Sequence, residues 1–479
     1  MVVLLLPAPD WATCGGGGGG GMGGMRSGGP SGPGDMGSEQ VYQVPWKLMK
    51  PGEAPAAGGL VVYWFPSSAQ EFQKSSLRNS RSLSLYATEC VTMGVADAGT
   101  ALGQKFLSGD KLPVVVLAKS DGTVINKLQN NNGFLKVDQV EKLVESEMKQ
   151  REEAVKQELK AAKEKAKSGD KEGAIPLYRT VLGEKCLFPG KAKDAAKELK
   201  KLGVDAAVKL FDAPVMDPAK SAKIESVMMR GLEAEMNEKY EEAERRYNEA
   251  RRMDPADPAP LRYLGELYRH HLGDWDKAQL TFQAILDMPA DPLSRAVALH
   301  GIGKMTIHEG DFLKGLHLME DSVREFPLAL AYRNLAVYWN SEGDAAKTDY
   351  YTREATKLDP NDPYNLVFAA AFLAGNGHGD EALKIAQENE AMLPASYNLA
   401  AIYAQLGQKQ KALDLLKRHF FQYERYQAVR SKEMMEARVD AVFASLHEDP
   451  QFIALTSGAD GKLPIPQNNK MSTVAPGKM

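Results

Sequence analysis

Chemistry in this chain would have to rest on three cysteines, eight histidines and a few hydroxyls at suggestive positions. Cys14, Cys90 and Cys186 contain no CxxC pair, so no dithiol is poised to attack and resolve a mixed disulfide. An odd, sparse and widely separated set is also a poor disulfide framework and a poor zinc site. The expectation is two buried thiols, Cys90 and Cys186, plus a terminal Cys14. His270, His271, His300 and His308 are half of the histidines, but they form no HxxxH pair and have no acidic neighbour set, so no metal is expected. Gly301-Ile302-Gly303-Lys304 has a trace of a phosphate loop, yet it lacks the upstream strand, the leading glycine and a Ser/Thr after the lysine. It reads as helix packing. Ser67 or Ser68 would need a nearby base to act as a nucleophile, and residues 40–150 contain no histidine. Ser67 is expected to be a helix N-cap instead, accepting backbone N–H groups. These residues argue against an enzyme, and no cofactor is implied.

The elements around them divide the chain. Residues 41–46 and 60–65 read as strands, and residues 70–86 read as helical, with Phe72, Leu77 and Leu83 at helical separations. Residues 90–95 and 114–117 are β-prone, and Asp121-Gly122 turns the latter into residues 124–128 as a hairpin. Residues 137–168 carry Glu, Lys, Ala and Gln without Gly or Pro, which predicts one long helix leading into the next domain.

This element order over about residues 40–150 resembles the thioredoxin fold. In that register Ser67-Ser68-Ala69-Gln70 lies on the CxxC site, with Ser67 and Gln70 at the two cysteine positions, and Lys111-Leu112-Pro113 resembles the segment that carries the fold's cis-proline. The resemblance implies a thioredoxin-like domain that is redox-inactive, because neither Ser67 nor Gln70 can replace a thiolate.

After Ser168 a period near 34 residues emerges, marked by a small residue in a first helix, Gly near the turn, Ala in a second helix and Pro at its end. Gly231, Ala243, Tyr247, Ala250 and Pro255 fill one unit. Leu264, Gly265, Tyr268, Ala278 and Phe282 open the next. Ile302, Gly303, Gly310, Gly315 and Pro327 follow, then Leu335, Ala336, Gly343, Ala355 and Pro360. Ala370, Gly377, Ala382 and Pro394, and finally Leu399, Ala400, Tyr403, Gly407 and Ala412, complete six. Small residues let helices approach closely, and Pro stops the second helix because it cannot continue the bond ladder. The pattern resembles the tetratricopeptide repeat over roughly residues 160–415. It implies a mainly α fold, a solenoid preceded by a small α/β domain. The full division is a Gly-rich leader (1–39), the thioredoxin-like domain (40–150), a linking helix with degenerate repeats (151–222), the repeat array (223–415), capping helices (416–456) and a tail (457–479).

In this repeat family the concave face is lined by the first helix of each hairpin. That carries over to Arg262, Glu266, Arg269 and His270 in one unit and to His300, Lys304 and His308 in the next. Arg333, Asn334 and Asn340 follow, and Tyr397 and Asn398 come from the last. The resemblance implies a scaffold whose groove holds an acidic or extended peptide of a protein partner, with Arg as the bidentate group for carboxylates. A net charge of -4, from 59 basic and 63 acidic residues, argues against nucleic acid as partner. No apolar run reaches the ~18 residues a transmembrane helix needs.

Residues 2–7 are apolar, and Trp11-Ala12-Thr13-Cys14 precedes a glycine tract, an arrangement that resembles the end of a bacterial lipoprotein signal with Cys14 as the lipidated residue. The absence of Lys or Arg before Cys14 and the Trp three residues ahead of it depart from that pattern. Export to the envelope or periplasm and a cytoplasmic location both stay open, as does the oligomeric state. Two other functions stay open beside the scaffold: a thiol or peroxide enzyme using Cys90 or Cys186, and a structural envelope lipoprotein.

Overall fold

The computed structural model describes residues 41–49, 59–129, 133–206, 210–237, 239–358, 360, 362–423 and 427–457. The leader with Cys14 and the tail beyond residue 457 lie outside them. The chain divides into two compact units, one ending at Phe326 and the other running from Pro327 onward.

In the first unit a five-stranded sheet forms from β1 (Lys47–Leu48), β2 (Leu60–Phe65), β3 (Val91–Val95), β4 (Val114–Lys119) and β5 (Val124–Gln129). The spatial order is β1-β3-β2-β4-β5, with β1 and β2 parallel to β3 and the β2–β4 and β4–β5 pairs antiparallel. Every residue of β2 is buried, as its unbroken run of apolar and aromatic residues requires for a strand covered on both faces. The stretch expected as a strand at residues 41–46 forms only the isolated Gln43–Asn79 bridge, and the regular strand is the short β1 after it. The sheet carries the short helices α1 (Ala69–Lys74), α2 (Arg81–Thr88) and α3 (Ala101–Phe106). The Leu112–Pro113 peptide is cis.

The long helix α4 (Val137–Lys167) leaves the sheet as anticipated and packs with α5 (Lys171–Gly183) and α6 (Pro189–Lys201). One hydrophobic cluster runs without a break from Leu60, Trp64 and Val91 of the sheet through Val144 and Leu159 of α4 to Tyr178 of α5 and Leu199 of α6. The sheet and these helices therefore share a core.

The first unit continues with α7 (Pro218–Met236), α8 (Tyr240–Met253), α9 (Ala259–Glu266, prolonged by a π-helical turn over Leu267–Leu272), α10 (Trp275–Asp287), α11 (Pro292–His308) and α12 (Phe312–Glu325). Helix approach in these hairpins demands glycine. A Cβ on Gly231 of α7 would lie 2.5 Å from the Tyr247 ring of α8. One on Gly265 of α9 would lie 2.3 Å from Phe282 of α10, a ring that also excludes a Cβ on Gly301 of α11 at 2.4 Å. Phe282 thus fills the space between two successive first helices, the stacking contact on which a repeat array depends.

The second unit holds α13 (Ala329–Ser341), α14 (Ala345–Leu358), α15 (Pro363–Gly375), α16 (Gly379–Asn389), α17 (Tyr397–Gln405), α18 (Lys409–Arg418), α19 (Gln427–Val439) and α20 (Pro450–Thr456). Pro255, Pro327 and Pro360 each stand two residues beyond the end of a second helix, and Pro394 stands five beyond the end of α16. Phe443, Leu446, Phe452 and Leu455 join the core made by α15, α17 and α18, which closes that end of the stack.

Candidate functional site

The side chains on the first helices of the hairpins fall into clusters that are described unit by unit. On α9 and its π-turn, Glu266 accepts from Arg269 Nη2 at 2.8 Å and lies 2.9 Å from His270 Nε2, and Arg269 also touches the His270 ring. Burial raises the Glu266 carboxyl, but the Arg269 charge and the His270 contact outweigh it and hold the group below the usual carboxylate range. Burial, reinforced by Arg269, pushes His270 down to about 4 and His300 of α11 down to about 3, so both imidazoles are neutral at neutral pH. Lys304 is buried one turn along from His300, and its charge contributes to holding His300 down. His271 stacks on Tyr240 with ring centroids 4.5 Å apart, whereas His308 is exposed, 5.6 Å from Trp275. Glu266, Arg269, His270, His300 and Lys304 are therefore brought together, and His308 stands apart from them. Among the described residues no group of three or more His, Cys, Asp or Glu could hold a metal ion.

Arg262 plays a different part. It is buried, and it donates through Nη1 to Ser294 Oγ of α11 at 3.1 Å and through Nη2 to the Val41 carbonyl at 3.4 Å. The stretch ahead of β1 thus lies against this helix face. Beside it, Tyr42 donates its hydroxyl to Asp257 at 2.7 Å, in the turn between α8 and α9. Arg81 of α2 completes the junction. Its guanidinium reaches Asp257 Oδ2 at 3.2 Å, Asp254, the Val215 carbonyl at 2.9 Å and Ser221 Oγ at 2.5 Å. The three side chains are almost wholly buried, at 2% exposure for Arg81, 0% for Asp254 and 1% for Asp257. Burial raises the Asp257 carboxyl, against the pull of Arg81 and the Tyr42 hydroxyl. Glu89, buried nearby, is pushed up to about 8 by desolvation and by Asp254.

In the second unit Arg333 of α13 donates to Asn365 Oδ1 of α15 and lies over the Tyr364 ring, 4.7 Å from its centroid. Burial lowers its pKa from the ordinary guanidinium value. Asn398 of α17 is buried beside Tyr364, and Tyr397 donates to Asp440 at 3.1 Å. Asn334 is buried, and Asn340 is exposed at the end of α13. His419 Nε2 stands 3.2 Å from the buried Glu433.

Two expectations need correction. Helix α1 begins at Ala69, so its N-cap is Ser68, whose Oγ accepts from Glu71 N at 3.1 Å; Ser67 sits one residue outside and donates its own N–H to the Glu71 carboxylate at 3.2 Å. Ser67 and Gln70 are exposed. The second concerns the cysteines. Cys90 and Cys186 are not separate buried thiols: they form a disulfide with Cα atoms 5.8 Å apart, and Cys186 is exposed. Their 96-residue separation concealed the pairing, because only the shared core of sheet and α4–α6 brings the two turns together. The Tyr42–Arg81–Asp254–Asp257 junction was likewise not anticipated. Its one sequence trace is Asp254-Pro255-Ala256-Asp257-Pro258, two turn-forming aspartates in a place where the repeat needs only one proline.

Stacked antiparallel hairpins with close glycine crossings define the class, an α-solenoid of helical repeats. Comparison with known proteins agrees: residues 228–294 match the tetratricopeptide repeat family. Protein CTR9 homolog of Arabidopsis thaliana is 25% identical over 232 residues, which cover 38% of this chain and 21% of that protein. The chain thus spans about a fifth of the length of that curated relative. The crystal structure of PilW, a widely conserved type IV pilus biogenesis factor, aligns with a TM-score of 0.32 and 16% identity over 52% of this chain and 98% of PilW. Among the described residues no helix is long and apolar enough to cross a membrane.

Proposed function

We propose that the protein is a non-catalytic interaction scaffold whose first-helix faces bind an acidic or extended peptide of a protein partner. The observation that carries this reading is the grouping of Arg, Lys, His and Asn on those faces: Arg269, His300 and Lys304 in the first unit, Arg333 and Asn398 in the second. Guanidinium groups in low-dielectric surroundings are suited to carboxylates and to main-chain carbonyls. Arg262, bonded to the Val41 carbonyl, is an internal example of the second contact.

The small α/β domain is read as a redox-inactive thioredoxin-like domain. The strand order β1-β3-β2-β4-β5 and the cis bond ahead of Pro113 support that reading, and the exposed Ser67 and Gln70 offer no thiol. Cross-linked partners captured by wild type would be compared with those of Arg269→Gln and Arg333→Gln, each verified as folded by its thermal melt. Loss of partners in either variant is expected. An unchanged set in both refutes the assignment of these faces.

A further inference from the structure

We infer that Cys90 and Cys186 are an oxidative modification site, closed by a disulfide-forming oxidant into a lasting tie, and that the protein works in an oxidising compartment. The Cα separation of 5.8 Å falls in the middle of the normal range. Cys90 occupies the left-handed turn between α2 and β3, with φ +63, and its carbonyl accepts from Leu60 N at 3.1 Å, which fixes the turn against the sheet. Cys186 lies in the turn between α5 and α6, immediately before the buried Leu187 and Phe188. Leu187 and Phe188 belong to the same cluster as Leu60 and Val91, so packing already holds the two turns together and oxidation records an arrangement that the core creates.

The reaction balances without further reagents. Cys186 is the exposed residue of the pair, so its thiolate attacks the disulfide of the oxidant, and one oxidant sulfur leaves as a thiol. Cys90 then attacks the mixed disulfide at the Cys186 sulfur and expels the second oxidant thiol. Two protein thiols are oxidised to one disulfide, the oxidant's disulfide is reduced to a dithiol, and both protons pass to it.

The surroundings suit a tie and not a working thiol pair. Catalytic and sensor cysteines need a depressed pKa from an imidazole, a cation or a helix N-terminus. No histidine precedes residue 270 in the sequence, and Cys90 follows the last turn of α2 directly after the buried Glu89. Attack by a reductant would have to enter at Cys186, the exposed member of the pair, while the packing of Leu187 and Phe188 into the shared core keeps Cys90 beside it to re-form the bridge. The compartment follows from persistence, since a bridge of this kind survives outside a reducing cytosol.

The test uses full-length protein from the cells that make it, lysed in a thiol-blocking maleimide and digested without reductant. The expected result is a linked peptide pair containing Cys90 and Cys186, at least about tenfold more abundant than the maleimide-labelled forms, converted to two labelled peptides by dithiothreitol. Maleimide on both cysteines in most of the protein overturns the inference, and so does a bridge from either cysteine to Cys14. Cys90→Ser and Cys186→Ser supply controls: each should leave the other cysteine labelled. Persistence of a linked pair in either variant would also overturn the assignment.

Discussion

Replacing Arg81 tests how the α/β domain is held against the repeats. Arg81 donates to Asp257, Asp254, the Val215 carbonyl and Ser221 from a position 2% exposed, and both aspartates are at 1% exposure or less. Arg81→Met keeps most of the side chain's volume but leaves two carboxylates facing each other without a cation. Each retains some support: Asp257 accepts from Tyr42 at 2.7 Å and from Ala259 N at 2.9 Å, and Asp254 accepts from Val215 N at 2.9 Å. The residual cost is that of a broken buried pair, about 3–5 kcal/mol. Restoring charge balance by adding Asp254→Asn and Asp257→Asn should recover most of it, because well-packed neutral groups replace buried ion pairs at little net cost. Urea unfolding followed by the fluorescence of Trp46 and Trp64, both in the sheet domain, reads the loss; hydrogen exchange at residues 41–49 reports whether that stretch has detached. A loss below about 1 kcal/mol for Arg81→Met would refute the reasoning, since that is the scale of an exposed pair.

Gly265→Ala and Gly301→Ala should each lower stability by about 1–3 kcal/mol, because the new methyl meets the Phe282 ring at 2.3 and 2.4 Å, whereas Gly190→Ala in open space on α6 should raise it by about 0.5–1 kcal/mol; thermal melts of the three decide it. Glu89, raised to about 8 in the folded state, contributes stability that is fully present below its unfolded value of 4.5 and is lost as pH rises through 8. Melting temperatures of wild type should therefore fall between pH 4.5 and 8 more steeply than those of Glu89→Gln. Cys90→Ser/Cys186→Ser removes a tie spanning 96 residues and should cost up to about 4–5 kcal/mol by the chain-entropy relation, measured as a shift in urea midpoint against the oxidised protein.

The repeats were legible because each is specified by contacts within about one hairpin. Gly265 must be small where Phe282 crosses it, and Pro394 must follow a helix that has ended, so the residue types recur with the period of the structure. Strands β2 to β5 were legible for the same local reason, with β2 read from a run whose every residue is buried, whereas the first strand was expected at residues 41–46 and β1 lies just after them. The junction and the disulfide were not. Arg81 meets Asp254 and Asp257 across 173 and 176 residues, and Cys90 meets Cys186 across 96, separations that leave no periodic trace in a single sequence. The first-helix positions could be located by repeat register, but register says which way a position faces and not what already occupies it.

That last distinction bears on how the scaffold would work. In the first unit Arg262 is engaged by Val41 and Ser294, so this cation already serves the protein's own architecture. The main-chain carbonyl held there is the chain's own, that of Val41. A partner peptide approaching α9 would have to displace residues 41–49, which are fixed by the Tyr42–Asp257 hydrogen bond and continue into the sheet through β1 and β3. The cost of that displacement includes exposing the buried Val41, Tyr42, Val44 and Trp46, each worth on the order of 1.5–3 kcal/mol as a fully buried side chain. Competition at Arg262 is therefore disfavoured by more than one carboxylate contact can return.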